Sequence, residues 1–135
     1  MSYWKNSLLI GVPQIDDQHH KLVDAIDELM AACKDRKGRD VIEKTLLFVS
    51  SYTKEHLNDE EKLQTKHNYP GLKAHKLLHN QFTTNIAALI KDLEQNGPNV
   101  ALIGKINKTL VEWLINHINV EDKKLGAYIQ SQSKQ

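Results

Sequence analysis

The sequence has 135 residues, of which 26% are charged and 40% are hydrophobic, and 18 basic side chains nearly balance 17 acidic ones. This length predicts a single domain over residues 1–135, large enough to bury a core. A formal net charge of +1 argues against a nucleic-acid interface, and no apolar run approaches the roughly 20 residues of a membrane-inserted helix.

The N-terminus and the cysteine content together suggest a cellular location. The first residues lack the basic start and long apolar stretch of a signal peptide. Cys33 is the only cysteine, so an internal disulfide cannot form, which agrees with a reducing compartment. We therefore expect a cytoplasmic protein, and for a chain of this size and charge the default expectation is a monomer.

The predicted elements are an arm, four helices and a tail. Residues 1–15 lack helical periodicity and predict an extended arm. Apolar residues then recur at three- and four-residue steps in four segments over about residues 16–122, separated by short stretches rich in Gly, Pro or Asn. Residues 123–135 predict a short helical tail. This pattern indicates an all-α protein with an antiparallel up-down-up-down four-helix bundle.

Each predicted helix carries at least one histidine on its apolar stripe. These residues are His19 on the first helix, His56 on the second, His75 and His79 on the third, and His117 on the fourth. Glu60 lies four residues after His56, and His79 four after His75, so each pair can direct two donor atoms at one point. The sequence therefore predicts a metal site inside the bundle.

The donor types narrow the choice of metal. A single buried histidine is more often a core residue with a hydrogen-bond partner, but five converging imidazoles and a carboxylate are costly to bury without a metal. Structural zinc sites favour cysteine ligands, and calcium and magnesium prefer oxygen. Two transition-metal ions fit better, with iron favoured by ligand type.

Four other titratable residues fall off the inward stripes, and we expect them at the surface: His20, His67, Asp59 and Glu61.

These motifs resemble those of the hemerythrin family, in its bacterial single-domain form (bacteriohemerythrin). The resemblance covers nearly the whole chain and rests on Trp4 and Gly11, Ile15-Asp16-Asp17-Gln18-His19, His56-x-x-x-Glu60-Glu61, Tyr69-Pro70, His75-x-x-x-His79, and Trp113-Leu114-x-x-His117-x-x-x-x-Asp122. It implies that residues 1–135 form one hemerythrin-like domain.

The resemblance also implies a cofactor and a division of ligands. One iron ion is expected on His75, His79 and His117, and the other on His19 and His56. Glu60, Asp122 and a solvent-derived oxo or hydroxo group would bridge the two ions. The iron with two histidines would then keep an open position for dioxygen. An apolar pocket would protect that position, and its candidate residues are Trp113, Leu22, Val23, Leu57 and Ile118.

The spacing of Asp122 departs from regular helix geometry. His117 and Asp122 are five residues apart, which places them about 140° from each other around an α-helix. Glu121, four residues after His117, would be better aligned. The resemblance nevertheless specifies Asp122, so we predict that the fourth helix ends or distorts between His117 and Asp122.

The resemblance implies reversible dioxygen binding for storage, transport or delivery, with an oxygen-consuming enzyme as a candidate recipient. One alternative is a domain that senses oxygen, iron or redox state, but a sensor is usually fused to a signalling module, for which a chain of this length leaves no room. A di-iron peroxidase or oxidase would need a proton donor in the pocket, and the inward stripes offer no clear candidate beyond the ligands. We therefore do not expect an enzyme.

Overall fold

The computed structural model describes residues 3–36 and 38–133, so residues 1, 2, 134 and 135 of the predicted arm and tail lie outside the described residues. Three long helices come first: α1 (Pro13–Lys34), α2 (Arg39–Lys66) and α3 (Leu72–Asn96). All regular structure in the described part of the chain is helical, which confirms the predicted all-α class.

The remaining residues, 100–133, form a continuous helical rod, which we call the fourth rod. It consists of α4 (Val100–Ile106), a first π-helical segment (Asn107–Glu112), α5 (Trp113–His117), a second π-helical segment (Ile118–Asp122) and α6 (Lys123–Ser133). The predicted tail is therefore the last part of this rod rather than a separate element.

Neighbouring rods run antiparallel, because contacts join the start of one to the end of the rod beside it. Arg39 at the start of α2 donates a hydrogen bond of 2.6 Å to the carbonyl oxygen of Glu94 near the end of α3. Lys105 near the start of the fourth rod contacts Asp92 in α3 at 3.0 Å. Connections of three to five residues leave no room for a crossover, so the chain passes up, down, up and down.

The first helix begins at Pro13, three residues before the predicted start at Asp16. Proline suits the first position of a helix, because its φ is already helical and its missing N–H would have no partner there. Asp16 has a different role: its carboxylate accepts hydrogen bonds from the backbone N–H groups of Ile10 at 2.7 Å and Gly11 at 3.1 Å. It thereby attaches the arm to α1.

The arm is not simply extended, since residues Asn6–Leu8 form a short 3₁₀ turn. Leu8 and Ile10 are buried in the core. The carbonyl oxygen of Ile10 lies so close to Gly126 of α6 that a Cβ atom there would be only 2.1 Å away. A residue without a side chain is therefore required at position 126 for the arm to pack on the fourth rod.

The interior of the bundle divides into an apolar half and a polar half. The apolar half contains residues that are almost completely buried: Ile26, Leu29, Leu46, Ile86, Leu93 and Ile106. The other half contains buried histidines and carboxylates on the same helical stripes.

Within the described ranges, no helix is both long enough and apolar enough to cross a bilayer.

Two glycines of the fourth rod provide a test of this packing. Gly126→Ala should lower the free energy of unfolding by about 1–3 kcal/mol, because the added methyl group meets the backbone of Ile10. Gly104→Ala is the control, since among the described residues its methyl group would meet no atom within 4 Å beyond its chain neighbours and the backbone of its own helix. It should stabilise the helix by about 1 kcal/mol. Urea unfolding of the two variants and the parent measures both changes; equal effects of the two substitutions would contradict the described packing.

Candidate metal centre

Side chains from all four rods meet in the polar half of the bundle. The buried donors are His19 of α1, His56 and Glu60 of α2, His75 and His79 of α3, and His117 and Asp122 of the fourth rod, each at most 5% exposed. One group joins Glu60, His75, His79, His117 and Asp122, and a second joins His19, His56 and Glu60; within each, the donor atoms lie within 4.8 Å of one another. All seven predicted ligand residues therefore lie in one cluster.

Glu60 directs its two carboxylate oxygens to different histidines. Its Oε1 lies 3.1 Å from Nε2 of His75 and 3.7 Å from Nε2 of His79. Its Oε2 lies 3.1 Å from Nε2 of His56 and 3.8 Å from Nε2 of His19. The carboxylate therefore lies between the two groups of donors and could serve a metal ion on each side.

The two carboxylate oxygens of Asp122 also face different histidines. Its Oδ1 is 2.9 Å from Nε2 of His75 and 3.2 Å from Nε2 of His117, whereas its Oδ2 is 3.1 Å from Nε2 of His19. Glu121, the alternative that regular helix geometry favours, is half-buried and lies 3.8 Å from Lys124. The structure therefore brings Asp122, not Glu121, to the cluster.

The second π-helical segment explains how Asp122 reaches the cluster. It begins immediately after His117 and includes Asp122. A π-helix has hydrogen bonds between residues five apart, so its turn is wider than that of an α-helix. Residues five apart then lie on the same face, which aligns His117 with Asp122. The prediction that the fourth helix distorts between these residues is confirmed.

Several donor atoms converge without forming hydrogen bonds to one another. Nε2 of His19, Nε2 of His79, Oε2 of Glu60 and Oδ1 of Asp122 are buried and have no hydrogen-bond partner among the described residues. Unpaired buried polar atoms are costly, and each would be satisfied as a metal ligand. Imidazole nitrogens with carboxylate oxygens suit transition-metal ions, so the residues present fit a pair of such ions.

The electrostatics of the cluster are those of a cation site. Burial alone would raise the pKa of Glu60, but the surrounding histidines outweigh burial and lower this pKa to about 2. Burial also opposes ionisation of Asp122, yet His117, His19 and His75 hold the pKa of its carboxyl well below the ordinary value. Both carboxylates are therefore ionised at neutral pH and offer negative charge to metal ions.

The histidines respond differently to their positions. Burial would lower the pKa of His19 and of His75, but the carboxylates of Asp122 and Glu60 outweigh it and raise both values to about 9. Burial dominates at His79, whose pKa falls to about 3, so this ring is neutral and can offer a lone pair. Metal binding at His19 and His75 would release protons.

Outer partners orient two of the histidines. Nδ1 of His56 donates to Oε1 of Gln18 at 2.8 Å, and the amide of Gln18 donates to Asp59 at 2.9 Å. Nδ1 of His79 lies 3.3 Å from Oε2 of Glu61. Hydrogen bonds at Nδ1 leave Nε2 of each ring free for a metal. The prediction that Asp59 and Glu61 are only surface charges is wrong, because both belong to these contacts.

Periodicity alone did not identify Gln18 as a partner of His56. Gln18 precedes His19 in the sequence, and its position toward α2 depends on how α1 and α2 pack. His20, by contrast, is half-exposed as predicted, with its ring stacked on Trp4 at 4.3 Å. His67 contacts Gln132 at 3.2 Å and is partly buried rather than fully solvated.

The predicted pocket residues lie in or beside the core. Leu22, Val23, Leu57 and Ile118 are buried. Trp113 is half-buried and lies between two rings, stacked on Phe82 at 4.2 Å and on His117 at 4.6 Å. The indole therefore packs against the ring of a candidate ligand as well as against the core.

The chain matches a known family and is similar to several named relatives. Residues 10–129 match the family model described as the hemerythrin HHE cation binding domain. A bacteriohemerythrin of Stenotrophomonas maltophilia is 27% identical over 132 residues, covering 98% of this chain and 84% of the relative. A bacteriohemerythrin of Pseudomonas aeruginosa is 29% identical over 119 residues (88% and 75%), and a myohemerythrin of Riftia pachyptila is 28% identical over 121 residues (90% and 88%).

Asp122 and Glu121 provide a matched pair for testing the cluster. Asp122→Asn should weaken metal binding by more than the roughly 10- to 100-fold that follows loss of an outer partner, because it removes a buried charge that faces both groups. Glu121→Gln removes the same charge from the neighbouring surface position and should leave binding unchanged. Metal analysis after dialysis gives the metal content per chain. A greater loss of metal in Glu121→Gln than in Asp122→Asn would show that Asp122 is not the carboxylate that binds the metal.

Proposed function

This chain belongs to the hemerythrin family, and we propose that it binds dioxygen reversibly for storage, transport or delivery. Membership of this family makes it a di-iron oxygen-binding protein and not an enzyme. The observation that carries the proposal is that two carboxylates are each shared between the two groups of histidines. Glu60 and Asp122 each direct one oxygen to the group with three histidines and the other to His19 or His56.

We propose the following assignment of ligands to the two irons. His75, His79 and His117 would hold one iron, His19 and His56 the other, and Glu60 and Asp122 would bridge them together with a solvent-derived oxo or hydroxo group. The position of each histidine relative to the two carboxylates supports this assignment. When bound, the two irons would supply the electrons and the coordination position that reversible oxygen binding requires.

The protein's own contribution is to orient the ligands and to exclude water. Gln18 and Glu61 fix the rings of His56 and His79 through Nδ1. The pocket wall proposed here consists of Leu22, Val23, Leu57, Ile118 and Trp113. The four aliphatic side chains of this wall are buried, which supports a dry surrounding. Dryness favours reversibility, because water would supply protons and promote irreversible oxidation.

A sensing role is the alternative from a different class. Storage or delivery needs only binding, whereas a sensor needs two conformations with different affinities for oxygen. Hydrogen exchange of the reduced protein with and without oxygen distinguishes the two roles. Unchanged exchange outside the cluster supports storage or delivery, and altered exchange along the outer faces of α1 or α2 supports sensing.

The proposal also includes a cytoplasmic monomer that supplies an oxygen-consuming enzyme.

His56 tests the oxygen-binding side of the site. His56→Ala should remove a ligand from the group of His19, His56 and Glu60, so iron content should fall by one ion per chain and reversible oxygen uptake should be lost. His20→Ala is the matched control, because His20 is half-exposed and next to a ligand without being one. Absorption spectra of the reduced protein through cycles of air and vacuum measure uptake. Two retained irons with normal uptake in His56→Ala would contradict the assignment.

Trp113 tests the protective role of the pocket. Trp113→Ala should leave iron content near that of the parent and hasten oxidation of the reduced protein in air, because loss of the indole opens a path for water beside His117. Trp113→Phe should restore part of the protection, and Phe48→Ala, on the exposed face of α2, should have no effect. The rate of oxidation is followed by absorption; an unchanged rate in Trp113→Ala would remove Trp113 from the pocket.

A further inference from the structure

Gln64 is a completely buried polar residue next to the metal centre. It lies on the inner face of α2, four residues after Glu60, and its exposed fraction is 0%. Residues four apart on a helix are neighbours on the same face. The amide of Gln64 therefore occupies a core position directly beside the carboxylate that faces both groups of histidines.

The amide contacts one particular oxygen of Glu60. Nε2 of Gln64 donates a hydrogen bond of 3.4 Å to Oε1 of Glu60. This is the oxygen that faces His75 and His79, whereas Oε2 faces His56 and His19. Gln64 therefore acts on only one side of a carboxylate that is otherwise shared.

Core packing does not account for an amide at this position. Oε1 of Gln64 is buried and has no hydrogen-bond partner in the part of the chain that the structure describes. An unpaired buried carbonyl costs free energy, and a methionine of similar length would fill the same space without that cost. The bond between Nε2 and Glu60 is the hydrogen bond that this side chain makes among the described residues, so it is the contact that offsets the cost.

We propose that Gln64 is a positioning residue of the metal centre. Its amide holds Oε1 of Glu60 toward His75 and His79 and thereby strengthens metal binding in the group with three histidines more than in the group of His19 and His56. The proposal rests on the di-iron function above. Outer partners of ligating carboxylates commonly fix the orientation of the ligand in this way.

Thr53 provides a matched control on the same helix. Like Gln64, it is 0% exposed on the inner face of α2, and its hydroxyl oxygen has no hydrogen-bond partner within residues 3–36 and 38–133. Unlike Gln64, it makes no hydrogen bond to Glu60. Thr53→Val therefore removes a buried polar atom from the same helix without removing a hydrogen bond to Glu60.

The test uses Co²⁺ as the probe, titrated into metal-free protein against a competing chelator and followed by visible absorption. Gln64→Met should weaken the Co²⁺ site of His75, His79 and His117, which is the site that remains in His56→Ala, by about tenfold and leave the other unchanged. Thr53→Val should leave both unchanged. Urea unfolding of metal-free Gln64→Met should show stability no lower than that of the parent, because the unpaired carbonyl is gone. Gln64→Leu repeats the test if the methionine variant does not fold.

Three results would overturn parts of this account separately. Equal weakening of both Co²⁺ sites, or no weakening, in Gln64→Met overturns the role of Gln64 and leaves the di-iron function standing. The same loss in Thr53→Val as in Gln64→Met also overturns it, because the effect would then follow from any change in the core. Binding of fewer than two Co²⁺ ions by the parent overturns the proposed function and this inference together.

Discussion

The structure depends on two ionised carboxylates buried among imidazoles in a helical bundle. Glu60 and Asp122 are 0% and 1% exposed, and burying such charges without compensation would cost more free energy than a domain of this size can spare. Histidines from four rods surround them and supply part of the compensation. Cations between the two groups of donors complete it, so the polar half of the interior is best understood as a metal-binding core.

Regular helices alone would not build this core. The first three rods place their donors at α-helical spacings, with pairs four residues apart on α2 and α3. The fourth rod supplies His117 and Asp122 at a spacing of five, and the second π-helical segment brings both inward. A local departure from α-helical geometry thus lies at a functional position, which is where π-helical segments are frequently found.

The sequence predicted most of the fold and the centre, because inward positions on a helix follow from periodicity. The histidine stripes and the cluster itself could be read in this way, and short stretches rich in Gly, Pro or Asn marked the loops. Asp122 required the family resemblance, since spacing alone favoured Glu121. Gln18, Asp59 and Glu61 were not identified as outer partners, because periodicity gives the face of a residue but not its contacts across helices. Gln64 did leave a signal: a polar side chain on an inward stripe.

The most direct test is anomalous diffraction at the iron edge from crystals of the iron-loaded protein. The account predicts two peaks inside the bundle, one beside His19 and His56 and the other beside His75, His79 and His117, with Glu60 and Asp122 in contact with both. A single peak, or a second peak away from Glu60 and Asp122, would contradict the claim that the two carboxylates are shared between two irons.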